Sequence, residues 1–172
     1  LRRKFLTTVS LSTIASLLPI SKLYPLDEKI SERSFIIKPE RLNEGDTLGL
    51  IAPGSFIDKD ELDESISNLK QLGFKVKFNK TILDRDGYLA GSDKVRANDV
   101  NMMFADKSVK GIICARGGYG CNRILPMLDY DTIRNNPKVL CGYSDITSLI
   151  SAIFSKTGLV GFHGPVGIST FN

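Results

Sequence analysis

The chain has 172 residues, 42% of them hydrophobic and 24% charged, which is long enough for one domain with a proper core, short for two, and without the composition of a disordered segment. The net charge of +4 is local: of the 23 Lys and Arg, Arg2, Arg3, Lys4 and Lys22 precede the first acid, Asp27, and the remaining 19 match the 19 Asp and Glu. The body of the chain is therefore neutral by formal charge, which excludes an electrostatic case for a nucleic-acid partner.

The basic start, Arg2-Arg3-Lys4-Phe5-Leu6, runs into an apolar, Ser/Thr-rich stretch from Thr7 to Leu18 closed by Pro19. Charge followed by a short apolar run is the layout of an export signal, and the paired arginines resemble a twin-arginine leader. The apolar part is far shorter than the roughly 20 residues of a spanning helix, so no stable membrane span is expected once the leader is removed. Residues 1–25 are expected to be this leader, 26–41 a linker, and 42–172 the domain proper. An exported, periplasmic or extracytoplasmic protein follows if the leader works, and a cytoplasmic one if it does not. A disordered or amphipathic arm is the alternative.

Within the domain, Thr47 to Ala52 forms a short apolar strand ending at Pro53-Gly54-Ser55. Asp58 and Glu61 then have the spacing of a capped helix start, and Leu62, Ile66, Leu69 and Leu72 follow at helical spacing up to Gly73. Phe74, Val76 and Phe78 alternate with lysines, as in a half-exposed strand. Strand, helix and strand with a right-handed crossover make two parallel neighbours in one sheet. After the polar loop Asp84–Asp93, Ser92 is placed to cap a helix running to about Ala105, on which Arg96, Asn98 and Asp99 are expected on the solvated face. Val109 to Cys114 is apolar throughout, the pattern of a strand buried on both sides.

That strand leads directly into Ala115-Arg116-Gly117-Gly118-Tyr119-Gly120. Glycines at 117, 118 and 120 permit positive φ and bring bare N–H groups up to an anion or a carbonyl oxygen. The loop fits neither the dinucleotide nor the Walker pattern, so phosphate binding is a weak reading, and a plain strand-to-helix turn is the bland one. Arg123 to Leu128 is expected to be a short helix broken at Pro126, with Asp129-Tyr130-Asp131 a polar turn.

The chain then repeats the strand–turn–helix arrangement at Val139-Leu140-Cys141-Gly142-Tyr143-Ser144-Asp145-Ile146-Thr147. Ile146, Leu149, Ile150, Ile153 and Phe154 give the helix its apolar face. A serine on such a turn stands clear of the sheet beside the free N–H groups of the new helix, the geometry of a nucleophile elbow. On local spacing alone a helix cap is the better reading of Ser144, with Asp145 a first-turn acid, because G-x-S-x-G is not completed. The last apolar run, Leu159 to Pro165, contains His163, the single histidine.

Cys114, Cys121 and Cys141 have no metal-binding or disulfide spacing, and two of them end apolar runs, so buried thiols are expected. No metal and no cofactor is implied. Ser144 and the glycine loop both fall at the carboxyl end of a parallel strand, where ligands bind in open α/β sheets. A serine nucleophile also needs a base, and His163 before Gly164-Pro165 suits a structural or substrate-side role better. The simplest expectation is that the polypeptide is a fragment of a larger enzyme.

From Leu42 onward the chain resembles the N-terminal domain of the LD-carboxypeptidases, serine peptidases that include muramoyltetrapeptide carboxypeptidase and the microcin C immunity peptidases. The segments that carry the resemblance are Gly45-Asp46-Thr47 through Ala52-Pro53, Arg85-Asp86-Gly87-Tyr88-Leu89-Ala90-Gly91, Ala115 to Gly120, Gly142 to Thr147, and Phe162-His163-Gly164-Pro165. The fold it implies is α/β, a three-layer, flavodoxin-like parallel sheet with helices on both faces, without the family's C-terminal domain. Ser144 then looks like the nucleophile, and the backbone N–H groups of Gly117, Gly118 and Asp145 look like the oxyanion hole. The triad's Glu and His would come from the missing domain, leaving the isolated piece inactive. The implied substrate is a muropeptide or small peptide, with terminal D-alanine removed from peptidoglycan tetrapeptides at an L,D-amide bond. A peptidyl-nucleotide substrate of the microcin type and a non-catalytic α/β binding module are the alternatives, and a homodimer of the full-length protein is compatible with the resemblance.

Overall fold

The computed structural model describes residues 36–169; the expected leader and the first part of the expected linker lie outside the described residues. Five strands form one sheet: β1 (Thr47–Ile51), β2 (Lys75–Lys77), β3 (Gly111–Cys114), β4 (Val139–Gly142) and β5 (Phe162–His163). All neighbours are parallel and the order is β2-β1-β3-β4-β5. This is the flavodoxin-like order, and it matches the expected fold class.

Five helices cover the sheet: α1 (Lys59–Gln71), α2 (Asp93–Ala105), α3 (Cys121–Ile124), α4 (Tyr130–Asn135) and α5 (Ile146–Thr157). Alternation along the strands divides the core in two. Leu48 and Leu50 of β1 pack with Leu62 and Leu69 of α1 on one side. On the other, Ile112 of β3 and Leu140 of β4 pack with Val100 and Phe104 of α2, Ile124 of α3, Ile133 of α4 and Leu149 of α5. Apolar side chains from the helices meet the two faces of the period-two strands, and this gives the three-layer arrangement.

The helix ends follow local chemistry. Asp58 accepts the Glu61 N–H at 2.9 Å while the Glu61 carboxylate accepts the Asp58 N–H at 3.0 Å, a reciprocal capping box. Ser92 Oγ accepts the Val95 N–H at the start of α2, and Gly158, with φ +80°, ends α5.

Three expectations need correction. Arg96 and Asp99 are not on a solvated face: they are 1% and 8% exposed. Asp99 accepts from Asn79 Nδ2 and Thr81 Oγ1 at 2.8–2.9 Å, fixing the segment before the Tyr88 loop against α2. The expected polar turn at 129–131 begins helix α4, capped by Asp129, which accepts from the Thr132 N–H and hydroxyl. The last strand is only two residues long, because Leu159 is taken up by a parallel bridge to Ile37. The Ile37 N–H donates to Gly158 O and the Val160 N–H to Ile37 O, both at 2.9 Å, so the stretch expected to be linker is already paired with the segment that precedes β5.

From β1 the chain departs to α1 on one face, and from β3 it departs to α3 on the other. The connections diverge between the carboxyl ends of β1 and β3, and this divergence opens the crevice in which such sheets bind ligands. Removing the α1 cap tests how far this scaffold relies on local signals: Asp58→Ala is expected to lower stability by about 1 kcal/mol. Urea denaturation with an unchanged slope would register it, whereas an unchanged midpoint would show the box to be dispensable.

Candidate active site

Three strand-to-helix connections meet at this edge: Ala52–Asp58 after β1, Ala115–Gly120 after β3, and Tyr143–Asp145 after β4. The loop around Tyr88 joins them through backbone pairing. The Ala90 N–H donates to Gly54 O at 3.0 Å and the Phe56 N–H to Tyr88 O at 3.3 Å. Tyr88 thereby meets Tyr119 edge to face, ring centroids 6.4 Å apart, at the exposed rim.

Ser144 is exposed on the turn between β4 and α5, with φ +63°. It is the single non-glycine residue with positive φ among the described residues. A left-handed conformation at a residue with a Cβ costs about 1–2 kcal/mol. A capping serine has extended backbone and accepts from an N–H of the first turn; Ser144 has neither feature in the described residues. The geometry is that of the elbow reading. The strain raises the hydroxyl above the sheet edge, and the chain continues into α5 from Asp145, whose own backbone is helical.

The glycine loop lies directly against this serine. A Cβ on residue 117 would fall 2.9 Å from Ser144 Cβ and 3.3 Å from its Oγ. Gly118, at φ +113°, is pressed as closely on Ser55: a Cβ there would stand 2.0 Å from Ser55 Oγ. Neither approach is open to another residue without displacing the loop. Among the described residues, no acceptor bonds the N–H of Gly117, Gly118 or Asp145, the three groups expected to form an oxyanion hole. Their neighbours are engaged: the Tyr119 N–H donates to Ser55 Oγ at 3.3 Å, and the Cys121 N–H to Asp145 Oδ2 at 2.9 Å. The Asp145 side chain thus ties the far end of the loop to the serine turn, a role that its reading as a first-turn acid did not include.

His163 ends β5 opposite Gly142, exposed, its ring tilted against Tyr143 with centroids 6.4 Å apart. Among the described residues, no histidine or carboxylate hydrogen-bonds the Ser144 hydroxyl, and no cluster of three or more His, Cys, Asp or Glu is placed to hold a metal ion. Burial raises the thiol pKa of Cys114, Cys121 and Cys141, and for Cys121 the Asp145 carboxylate adds to it. Such thiols remain protonated at neutral pH and are poor nucleophiles. Sequence reasoning also missed Ser55 and Arg96. The Pro53-Gly54-Ser55 turn was a visible signal for the first, while Arg96 sat in an ordinary polar helix pattern.

An exposed, strained serine after a parallel strand, with unbonded N–H groups beside it, is the arrangement that a serine-hydrolase reading of this α/β sheet edge requires. Residues 48–164 match the family model for the LD-carboxypeptidase N-terminal domain, and the chain belongs to this family. It is 49% identical over 129 residues to a Bacillus subtilis protein named "Probable murein peptide carboxypeptidase", covering 75% of this chain and 40% of that one. It is 38% identical over 120 residues to the murein tetrapeptide carboxypeptidase of Pseudomonas aeruginosa, covering 69% and 39%. Among solved structures, the MccF-like protein of Bacillus anthracis superposes with a TM-score of 0.73 at 38% identity, covering 77% and 41%. The chain therefore spans about 40% of the length of the relatives it matches.

The strained turn gives a stability test separate from activity. Ser144→Gly is expected to stabilise the fold by about 1 kcal/mol through relief of the left-handed φ, and Ser144→Ala to leave it nearly unchanged. Thermal or urea unfolding distinguishes the two; a loss of about 1 kcal/mol in Ser144→Ala would restore the helix-cap reading.

Proposed function

We propose that this chain supplies the nucleophile and the oxyanion hole of a serine peptidase that removes terminal D-alanine from murein tetrapeptides. The observation that carries the proposal is the close seating of Gly117 on an exposed Ser144 held at φ +63°. Ser144 Oγ attacks the carbonyl carbon of the L,D-amide as its proton passes to a general base. The carbonyl oxygen becomes an oxyanion facing the N–H groups of Gly117, Gly118 and Asp145. Collapse of the tetrahedral adduct breaks the C–N bond, the amine takes a proton, and D-alanine leaves. Water then attacks the acyl-serine, returning the hydroxyl and releasing the shortened peptide as a carboxylate. The base and the acid that orients it are assigned, by family resemblance, to a further domain.

The murein substrate is favoured by the 49% identity to the Bacillus subtilis relative, and export is favoured by Arg2-Arg3 ahead of the apolar run. The likeness to an MccF-like structure supports a second reading, in which an aminoacyl or peptidyl nucleotide occupies the same crevice. Both use one serine, so the chemistry is shared and the leaving group differs.

For the complete gene product, incubation with tripeptide, tetrapeptide and pentapeptide muropeptides is expected to release D-alanine from the tetrapeptide. Ser144→Ala should lower kcat by about 10⁴-fold or more while unfolding like the wild type. Cleavage of the pentapeptide but not the tetrapeptide contradicts the murein assignment, and cleavage of an aminoacyl nucleotide alone selects the second reading.

A further inference from the structure

We propose that Arg96 is a positioning residue that sets the oxyanion loop, clamping the start of the β1 connection to the end of the glycine loop; this rests on the oxyanion role proposed above. Arg96 projects from α2 into the interior and is 1% exposed. Its Nη1 donates to Pro53 O at 2.5 Å and to Gly120 O at 3.0 Å. Pro53 precedes Gly54, where an added Cβ would stand 3.2–3.3 Å from the carbonyls of Tyr119 and Gly117 and from the Asp145 carboxylate. Gly120 closes the loop, and its left-handed φ of +106° turns the chain into α3. One nitrogen thus joins the start of the β1 connection to the last residue of the glycine loop.

The guanidinium is itself held in place. Nη2 pairs with Asp93 Oδ1, and Asp93 Oδ2 accepts from Arg123 Nε and Nη2 at 3.0 and 2.9 Å. Asp93 lies in the first turn of α2, where the helix dipole favours its charge. Arg123 lies on α3, so the pair also ties the helix that follows the loop. The Arg96 Nε is buried without a partner among the described residues, an arrangement that costs stability. An aliphatic side chain would fill the same space without that cost. What the planar fork adds is the bridge between two carbonyls with a carboxylate at its other nitrogen.

The consequence is mechanical. The Ala115 N–H donates to Ile51 O at 2.7 Å where the loop begins. Ser55 holds its middle, and Arg96 and Asp145 hold its end. The N–H groups of Gly117 and Gly118 stay unbonded between these anchors. Without the clamp the Gly120 carbonyl keeps only the Arg123 N–H, at 3.2 Å, and the end of the loop is free to shift, moving donors whose position matters only as charge develops on the substrate oxygen.

In the complete gene product, Arg96→Lys keeps a positive charge but has a single, shorter-reaching nitrogen, where arginine serves the two carbonyls from Nη1 and Asp93 from Nη2. We expect kcat for D-alanine release to fall about 100-fold, with KM within about twofold of wild type. Amide hydrogen exchange should rise in residues 115–121 and stay unchanged in α5. Wild-type kcat in the variant overturns the inference, and so does a rise in exchange spread evenly over β1, α1 and α2, which marks general destabilisation. Should Arg96→Lys not fold, Asp93→Asn leaves the arginine in place without the charge that orients it. It is expected to give the same loop-specific rise, and its absence overturns the clamp. A wild-type protein that releases no D-alanine counts against the peptidase reading alone, because the exchange measurement decides the clamp without substrate.

Discussion

The contact on which the site depends is the meeting of two pieces of backbone, with Gly117 lying against Ser144 and Gly118 against Ser55. Atoms this close leave no room for a Cβ, and the left-handed φ of Gly118 and Gly120 has no inexpensive substitute. Glycine lets a loop carry donors to within reach of a hydroxyl without placing side chains between them. The same approach makes the loop intrinsically loose, since glycine gains most from disorder. Bonds from Ser55, Arg96 and Asp145 offset that tendency, supplied by the β1 connection, helix α2 and the β4 connection respectively.

The sheet makes this convergence possible. Parallel strands place every strand-to-helix connection at one edge, and the order β2-β1-β3-β4-β5 sets the connections after β1, β3 and β4 side by side. β1 and β3 are covered by helices on opposite faces, so a crevice opens between their ends. The rigid part of the molecule lies beneath it: Ile51 and Cys114 are buried at the strand ends, Leu140 is buried within β4, and Ile146 and Leu149 pack at the root of α5. Strain at Ser144 is sustained because buried residues fix the chain on either side of it. Stability in the core is thereby converted into position at the hydroxyl.

The sequence made most of this architecture legible through local signals. Asp58 with Glu61, Ser92, Gly73 and Gly158 mark helix ends by hydrogen bonding and left-handed turns that act over three or four residues. The apolar runs at 47–52, 109–114 and 139–141 mark strands for the same local reason. Ser144 and the glycines at 117, 118 and 120 were identifiable as candidates because each group directly follows an apolar strand and lies in a segment that carries the family resemblance. What could not be read was which of two local meanings applied to Ser144, a cap or an elbow, since the answer lies in a φ angle imposed by packing. Arg96 and Asp99 were misplaced on the solvated face because their partners are distant in sequence. Pro53 and Gly120 are 43 and 24 residues from Arg96, and Asn79 and Thr81 are 20 and 18 from Asp99. The Asp145 carboxylate reaches 24 residues back to Cys121 for the same reason. Helix α4 escaped because its six residues bury a single side chain, Ile133, and show no apolar period.

Covalent trapping is the sharpest test of the proposal that Ser144 is an activated nucleophile. A fluorophosphonate loses fluoride as a serine oxygen attacks its phosphorus, leaving a stable adduct on an activated hydroxyl. After treatment of the complete gene product, intact mass followed by peptide mapping is predicted to show one adduct, located on Ser144 and absent when the protein is unfolded first. Folded protein that stays unlabelled, or that is labelled at a different serine, would contradict the assignment.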